Sequence, residues 1–183
     1  MSERSERKAI DKVFILLGIA AALFLAVIGG LAYYGHYFAT SMVREQLGAQ
    51  KIYFPLKTSQ AYTSLPAVDR AAMAPYAGQQ LVTGDQAKVY ADNYIAVHLE
   101  RIGGGKTYAE ISQAATAHPA DQQLQAQRSL LFQGETLRGM LLGSGYAFWT
   151  IGMIAYYASL AAFAGAIAML VLVALGLCHL KRL

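Results

Sequence analysis

The chain has 183 residues, 56% hydrophobic and 14% charged, against about 25% charge in an ordinary soluble domain. That deficit excludes a disordered chain and an ordinary soluble enzyme. The length allows one domain, and a single cysteine excludes a disulfide framework or a cysteine-based metal cluster. The formal net charge is +4, but no basic face is clustered as a nucleic-acid reader requires.

The charge surplus sits at the ends. Arg4, Arg7, Lys8 and Lys12 precede the first apolar run, and Lys181 and Arg182 follow the last. Residues 36–140 nearly balance, with nine basic and eight acidic side chains. This is the positive-inside pattern. It predicts a two-pass protein of the cell membrane with segments 1–12 and 179–183 in the cytoplasm.

Val13–Tyr34 is 22 residues without a charge, which as a helix spans the roughly 30 Å hydrocarbon core. A transmembrane helix is predicted over 13–35. The rival reading, a cleaved signal peptide, has an apolar region of about 7–15 residues ending in small ones. This run is longer and leads into Tyr33, Tyr34, Tyr37 and Phe38, which suit the outer headgroup layer. Gly18, Ala22, Ala26 and Gly30 recur every fourth residue as a small-residue stripe, the kind that lets helix backbones approach in lipid.

Residues 36–138 are predicted as an extracytoplasmic helical domain. Ala39–Leu47 continues the first helix to about Gly48. Lys51–Pro55 and Gln80–Val82 read as two short strands, a candidate β-hairpin, and 57–78 as irregular. Thr83 with Gln86 is a capping box, so a helix follows to about Ile102, with Ala87, Ala91, Ile95, His98 and Ile102 on one face. Gly103 opens a triple-glycine stop. Thr107 with Glu110 is a second capping box, for a helix ending before Pro119. A last helix starts near Ala120–Asp121 and runs toward the membrane.

From Gly139 to Leu180, 42 residues carry no acid or base apart from His179. Counting about 20 residues back from Lys181 places the second transmembrane helix at 157–178, with Ala158 and Ala162 facing the first. Residues 139–156 then extend it as a helix that is apolar all round and must be buried. Two spans joined at Gly143-Ser144-Gly145 is the alternative, which puts the C-terminus outside against its own charge. Gly139 and Gly143 form a GxxxG followed by Tyr146, Phe148 and Trp149, a candidate face for docking a partner.

Catalytic signals are sparse. Gly103–Thr107 looks like the tail of a phosphate-binding loop, but Glu100 stands where the first glycine belongs. His36, His98, His118 and His179 show no metal-ligand spacing, and no nucleophile elbow surrounds a serine. No catalytic residue, cofactor or metal ligand is therefore predicted.

One resemblance covers the whole chain. Gln46-Leu47, Lys51-Ile52, Tyr90-Ala91 with Ile95 and His98, the block Gly104-Gly105-Lys106-Thr107-Tyr108-Ala109-Glu110, and Thr136-Leu137-Arg138-Gly139-Met140-Leu141 resemble a family of small two-span actinobacterial membrane proteins. Its members often carry the label aromatic ring-opening dioxygenase. A non-haem iron site needs clustered His and carboxylate ligands, and four scattered histidines do not supply one. In the family, alternating Arg and apolar residues lead into the second span, whereas only apolar residues follow Arg138.

The expected fold is thus mainly α, two transmembrane helices extended into an extracytoplasmic helical hairpin with a small cap. The expected role is a non-catalytic accessory or scaffold subunit of a larger membrane complex, with a respiratory assembly as one candidate host. Its partners would be other integral membrane proteins and lipid, not nucleic acid. The alternative is a stand-alone envelope sensor or ligand-binding protein.

Overall fold

The computed structural model describes residues 3–182, with side chains from Glu6 onward. Met1, Ser2 and Leu183 of the expected terminal segments, and the Arg4 side chain in the basic count, lie outside the described residues. The fold is mainly helical. In chain order come α1 (Glu3–Ala49), α2 (Gln60–Thr63), α3 (Ala67–Met73), α4 (Gly84–Tyr90), a π-turn (Ala91–Ile95), α5 (Ala96–Gly103), α6 (Tyr108–Ala117), α7 (Gln122–Met140), a second π-turn (Leu141–Ala147) and α8 (Phe148–Arg182). Two helical stretches, Glu6–Ala49 and Gln122–Arg182, are long and apolar enough to cross a membrane. Where one domain was expected, the chain forms two compact units: 1–38 with 151–183, and 39–150.

The first unit is an antiparallel pair made by α1 and α8. Buried or half-buried positions on α1 fall at Asp11, Ile15, Gly18, Ala22, Leu25, Gly29, Ala32 and His36, and on α8 at Gly152, Ser159, Ala162, Ala166, Met169, Val173 and Gly176. The alternating steps of four and three average 3.5 residues, the period of a left-handed helix pair. A Cβ on Gly18 would stand 2.7 Å from Val173, and one on Gly29 would stand 3.0 Å from Phe163. Away from this line the surface is large and apolar, with Phe14, Leu16 and Leu31 all more than 60% exposed.

The predicted small-residue stripe therefore needs correcting. Gly18 and Ala22 lie on the line, but Ala26 is exposed and a Cβ on Gly30 meets nothing within 4 Å. Strict fourfold spacing advances 40° beyond a full turn at each step of a 3.6-residue helix, so the stripe winds off the contact. Gly29 replaces Gly30. On α8, Ala162 is buried, but Ala158 is exposed and its neighbour Ser159 is fully buried instead. The Ser159 hydroxyl donates to the Tyr156 carbonyl at 2.7 Å.

The second unit has a true core, including Phe54, Leu65, Met73, Leu81, Leu131 and Leu141. The two expected strands reduce to one antiparallel bridge, Tyr53 to Gln80. Phe54 N–H donates to the Gln79 carbonyl and Leu81 N–H to the Ile52 carbonyl, both at 2.9 Å. Pro55 has no N–H to extend the ladder. Residues 57–78, expected to be irregular, hold α2 and α3. Ser59 caps α2 by accepting from Tyr62 N–H, and Pro66 directly precedes α3. These turn-forming residues serve as helix starts.

The two capping boxes are formed. Gln86 N–H donates to Thr83 Oγ1, and Gln86 Oε1 accepts from Thr83 N–H at 3.0 Å. Glu110 accepts from Thr107 N–H at 2.7 Å and, with the Thr107 hydroxyl as a second donor, its carboxyl is held below the ordinary range. Between them α5 ends on Gly103, with Gly104 and Gly105 both at positive φ. Gly105 N–H donates back to the Glu100 carbonyl at 3.0 Å. That is a six-to-one helix stop, and it accounts for the glycines without a phosphate.

Candidate functional site

Three features of the second unit meet around α7 and the two π-turns. The first is a split helix face. The expected apolar segment from residue 139 is not buried all round. Leu141, Gly145 and Trp149 are buried, one every fourth residue, while Gly139, Met140, Gly143 and Ala147 are exposed. A Cβ on Gly145 would stand 3.1 Å from Ala87, so Gly145 is the close-approach glycine. Cβ atoms on Gly139 or Gly143 would meet nothing. The GxxxG thus faces outward beside Met140, which is 56% exposed, and the same helix also exposes Phe132 and Leu137.

Of the expected aromatics on this segment, Phe148 is half-buried and Trp149 is 8% exposed. The Trp149 ring lies on Gly84, the first residue of α4, where an added Cβ would come within 2.2 Å of Trp149 Cβ. Arg44 stands 6.0 Å from the ring centroid, at the edge of cation–π range. The indole N–H is buried with no acceptor among the described residues, so packing rather than hydrogen bonding holds the ring. Trp149 is a core residue and not an open docking anchor.

The second feature is an ion-pair cluster whose central pair, Asp92 with Arg138, spacing along the sequence does not reveal. Asp92, in the first π-turn, accepts from Lys88 Nζ at 2.6 Å and from Arg138 at 3.2 Å. Glu135 lies 3.7 Å from the Arg138 guanidinium. Burial raises the Asp92 pKa, but the hydrogen bonds and charges of Lys88 and Arg138 outweigh it, and the carboxyl is held below its ordinary value. The hydrogen bond to Asp92, then its charge, raise the pKa of Lys88, whose Nζ also sits 5.3 Å from the Tyr146 ring centroid. Arg138 marks where polar α7 gives way to apolar residues, and Asp92 is the long-range partner of that guanidinium.

The third feature is a groove between α5 and α7. A row of rings leads to it along the first π-turn. Phe54 and Tyr90 meet edge to face at 5.3 Å, Tyr90 and Tyr94 lie 4.8 Å apart, and Tyr94 and His98 lie 4.5 Å apart. Burial, then the neighbouring Tyr94, pushes the Tyr90 hydroxyl up to about 12. The extra residue of the π-turn shifts the buried face by one position. Ala87, Ala91 and Ile95 are buried as expected of the face, but Leu99 and Gly103 then replace His98 and Ile102, which are half-buried. His98 is turned to the groove wall beside Leu130, Gln133 and Leu137. On the groove floor Gly134 receives Leu99, whose side chain would lie 2.3 Å from an added Cβ.

Among the described residues no group of His, Cys, Asp or Glu could hold a metal ion. No family model, curated protein or solved structure matches the chain. The residues that spacing missed are Gly29, Gly84, Gly134 and Gly145, each at a close approach, and the Asp92–Arg138 pair. The 3.5-residue spacing of α1 and α8 was the available signal for Gly29. The others are contacts between segments distant along the chain.

Proposed function

We propose that the protein is a two-pass membrane protein that serves as an accessory subunit of a larger membrane complex, packing against another integral membrane protein. The observation that carries this reading is the outward face of α7 and the second π-turn, where Gly139, Met140, Gly143 and Ala147 are exposed together. It is a strip of small and apolar residues, with exposed Ser144 beside Gly143, whose two glycines leave a partner's backbone room for close approach. The first unit supports the membrane placement. Its contact line is made largely of Gly, Ala and Ser and its outer surface of Leu, Ile and Phe, the reverse of a soluble protein's order.

Exposed Tyr33, Tyr34, Tyr37 and Tyr157 gather at one end of the unit, and Lys12 and Lys181 lie toward the other. This pattern favours both termini in the cytoplasm and 39–150 outside. The resemblance to small two-span actinobacterial proteins belongs to the same proposal, with a respiratory assembly as one candidate host.

The test is gentle extraction of tagged protein from native membranes, followed by native sizing and mass spectrometry. The wild type is expected in a discrete large assembly with reproducible companions. Gly143→Glu, which places a charge in open space on the exposed face, should release it while leaving the isolated protein folded. A wild type that runs alone as a monomer or homodimer refutes the accessory reading.

A further inference from the structure

The groove between α5 and α7 has a volume of about 290 Å³, at the lower edge of the roughly 300–1,000 Å³ common for small-molecule sites. No Asp, Glu, Lys or Arg lines it, and its walls are mostly apolar, from Leu99, Leu130 and Leu137 with the Tyr94 ring. An uncharged occupant fits such walls, because an ion would lose hydration without gaining a partner.

The polar atom that selects the ligand belongs to His98. Its Nδ1 lies 2.7 Å from the Tyr94 carbonyl oxygen. A carbonyl only accepts, so Nδ1 carries the proton. In the neutral ring Nε2 is then a lone-pair acceptor, and it has no hydrogen-bond partner among the described residues. Gln133, which also lines the groove, directs its amide N–H to the Ser129 hydroxyl at 3.3 Å.

We infer that this groove binds a small uncharged apolar molecule bearing a hydroxyl, which donates its proton in a hydrogen bond to His98 Nε2. The π-turn is what makes the site. Without its extra residue His98 would hold the buried position that Leu99 occupies, and its ring would not border the groove. A ring-borne hydroxyl and the hydroxyl of a chain-like lipid alcohol share this chemistry, and the test separates them. The inference does not depend on the accessory role.

The test uses the full chain, labelled with 15N-histidine, in phosphatidylcholine nanodiscs at about pH 8, where imidazole is ordinarily neutral. The probes are 2-naphthol, 2-methoxynaphthalene and 1-dodecanol. The His98 Nε2 resonance, assigned by its loss in His98→Gln, is expected to move saturably with 2-naphthol. His36, His118 and His179 should stay still. The methoxy compound, which lacks the donor, should bind about tenfold more weakly, the loss of one neutral hydrogen bond. Leu137→Trp, or Leu130→Trp at a more exposed position, should fill the groove and abolish the response.

A response to 2-naphthol with none to 1-dodecanol assigns a ring-borne hydroxyl, and the reverse assigns a lipid alcohol. Silence at His98 with both alcohols overturns the inference. So does an equal shift at His36 and His179, which reports partition into lipid, or equal binding of the methoxy compound.

Discussion

Gly84→Ala is the sharpest probe of how the second unit is assembled. The added methyl would lie 2.2 Å from Trp149 Cβ and 2.4 Å from Cγ, where carbon atoms normally rest about 3.5–4.0 Å apart. Trp149 Cβ is fixed by its own backbone, so no rotamer change relieves the overlap and α4 must shift by more than an ångström. Overpacking of this kind costs about 1–3 kcal/mol. Gly84 is the first residue of α4, outside the helix interior where alanine's propensity advantage applies, so the net loss stays at about 1–3 kcal/mol. At roughly 2–4 °C per kcal/mol for a chain of this size, the apparent Tm should fall by about 2–12 °C. The assay is thermal unfolding of the purified protein followed by tryptophan emission, which reports this contact because Trp149 is the only tryptophan. Gly139→Ala is the matched control. It also sits in a helix but has open space around its Cβ, so it should gain about 0.5–1 kcal/mol. If Gly84→Ala unfolds at the wild-type temperature with an unchanged emission spectrum, Trp149 does not rest on Gly84 and the packing described for α4 is wrong.

The pairing of α1 with α8 can be read by cross-linking. A Cβ on Gly176 would lie 3.1 Å from Ile15, so Ile15→Cys with Gly176→Cys, in a Cys178→Ala background, should form a disulfide readily. Adding Gly18→Leu should suppress the yield and adding Gly30→Leu should not; equal effects would return the contact to the fourfold stripe. Asp92→Asn should cost on the order of 1 kcal/mol, since two half-exposed ion pairs are screened by solvent, measured by chemical denaturation at neutral pH. The folded Asp92 pKa is depressed, so its contribution is present above the unfolded value of about 3.9 and is lost as pH falls through the lower folded value. The Asn variant should lack that acid-side loss, and a wild-type-like acid profile in the variant would remove Asp92 from the account. Gly104→Ala, at φ 60° with free space around it, meets only backbone strain of about 1 kcal/mol. Its signature should be faster amide exchange confined to the end of α5, and protection equal to wild type would refute the left-handed stop.

Legibility in the sequence followed the range of the interaction. Both capping boxes and the glycine stop act within a few residues, so Thr83 with Gln86, Thr107 with Glu110, and Gly103 could be located by pattern alone. Proline and serine in 57–78 read as loop formers in the sequence, although Ser59 and Pro66 begin helices. Whether such a residue closes a turn or opens a helix depends on whether Tyr62, Leu65 and Met73 find a core to enter, and all three do. Fourfold spacing places Gly18 and Ala22 on the α1–α8 contact but cannot keep Ala26 and Gly30 there, because a paired helix follows a 3.5-residue line.

By itself, then, the sequence determined the mainly helical class, two stretches apolar enough to cross a membrane, and the local starts and stops of the helices. Those properties are sums over neighbouring residues. Tertiary structure decided which glycine lies under which side chain, that Asp92 meets Arg138 across 46 residues, and that a π-turn moves His98 from the buried face to a groove. Each of these turns on one residue of helical phase or on an approach between distant segments, and composition and spacing carry neither.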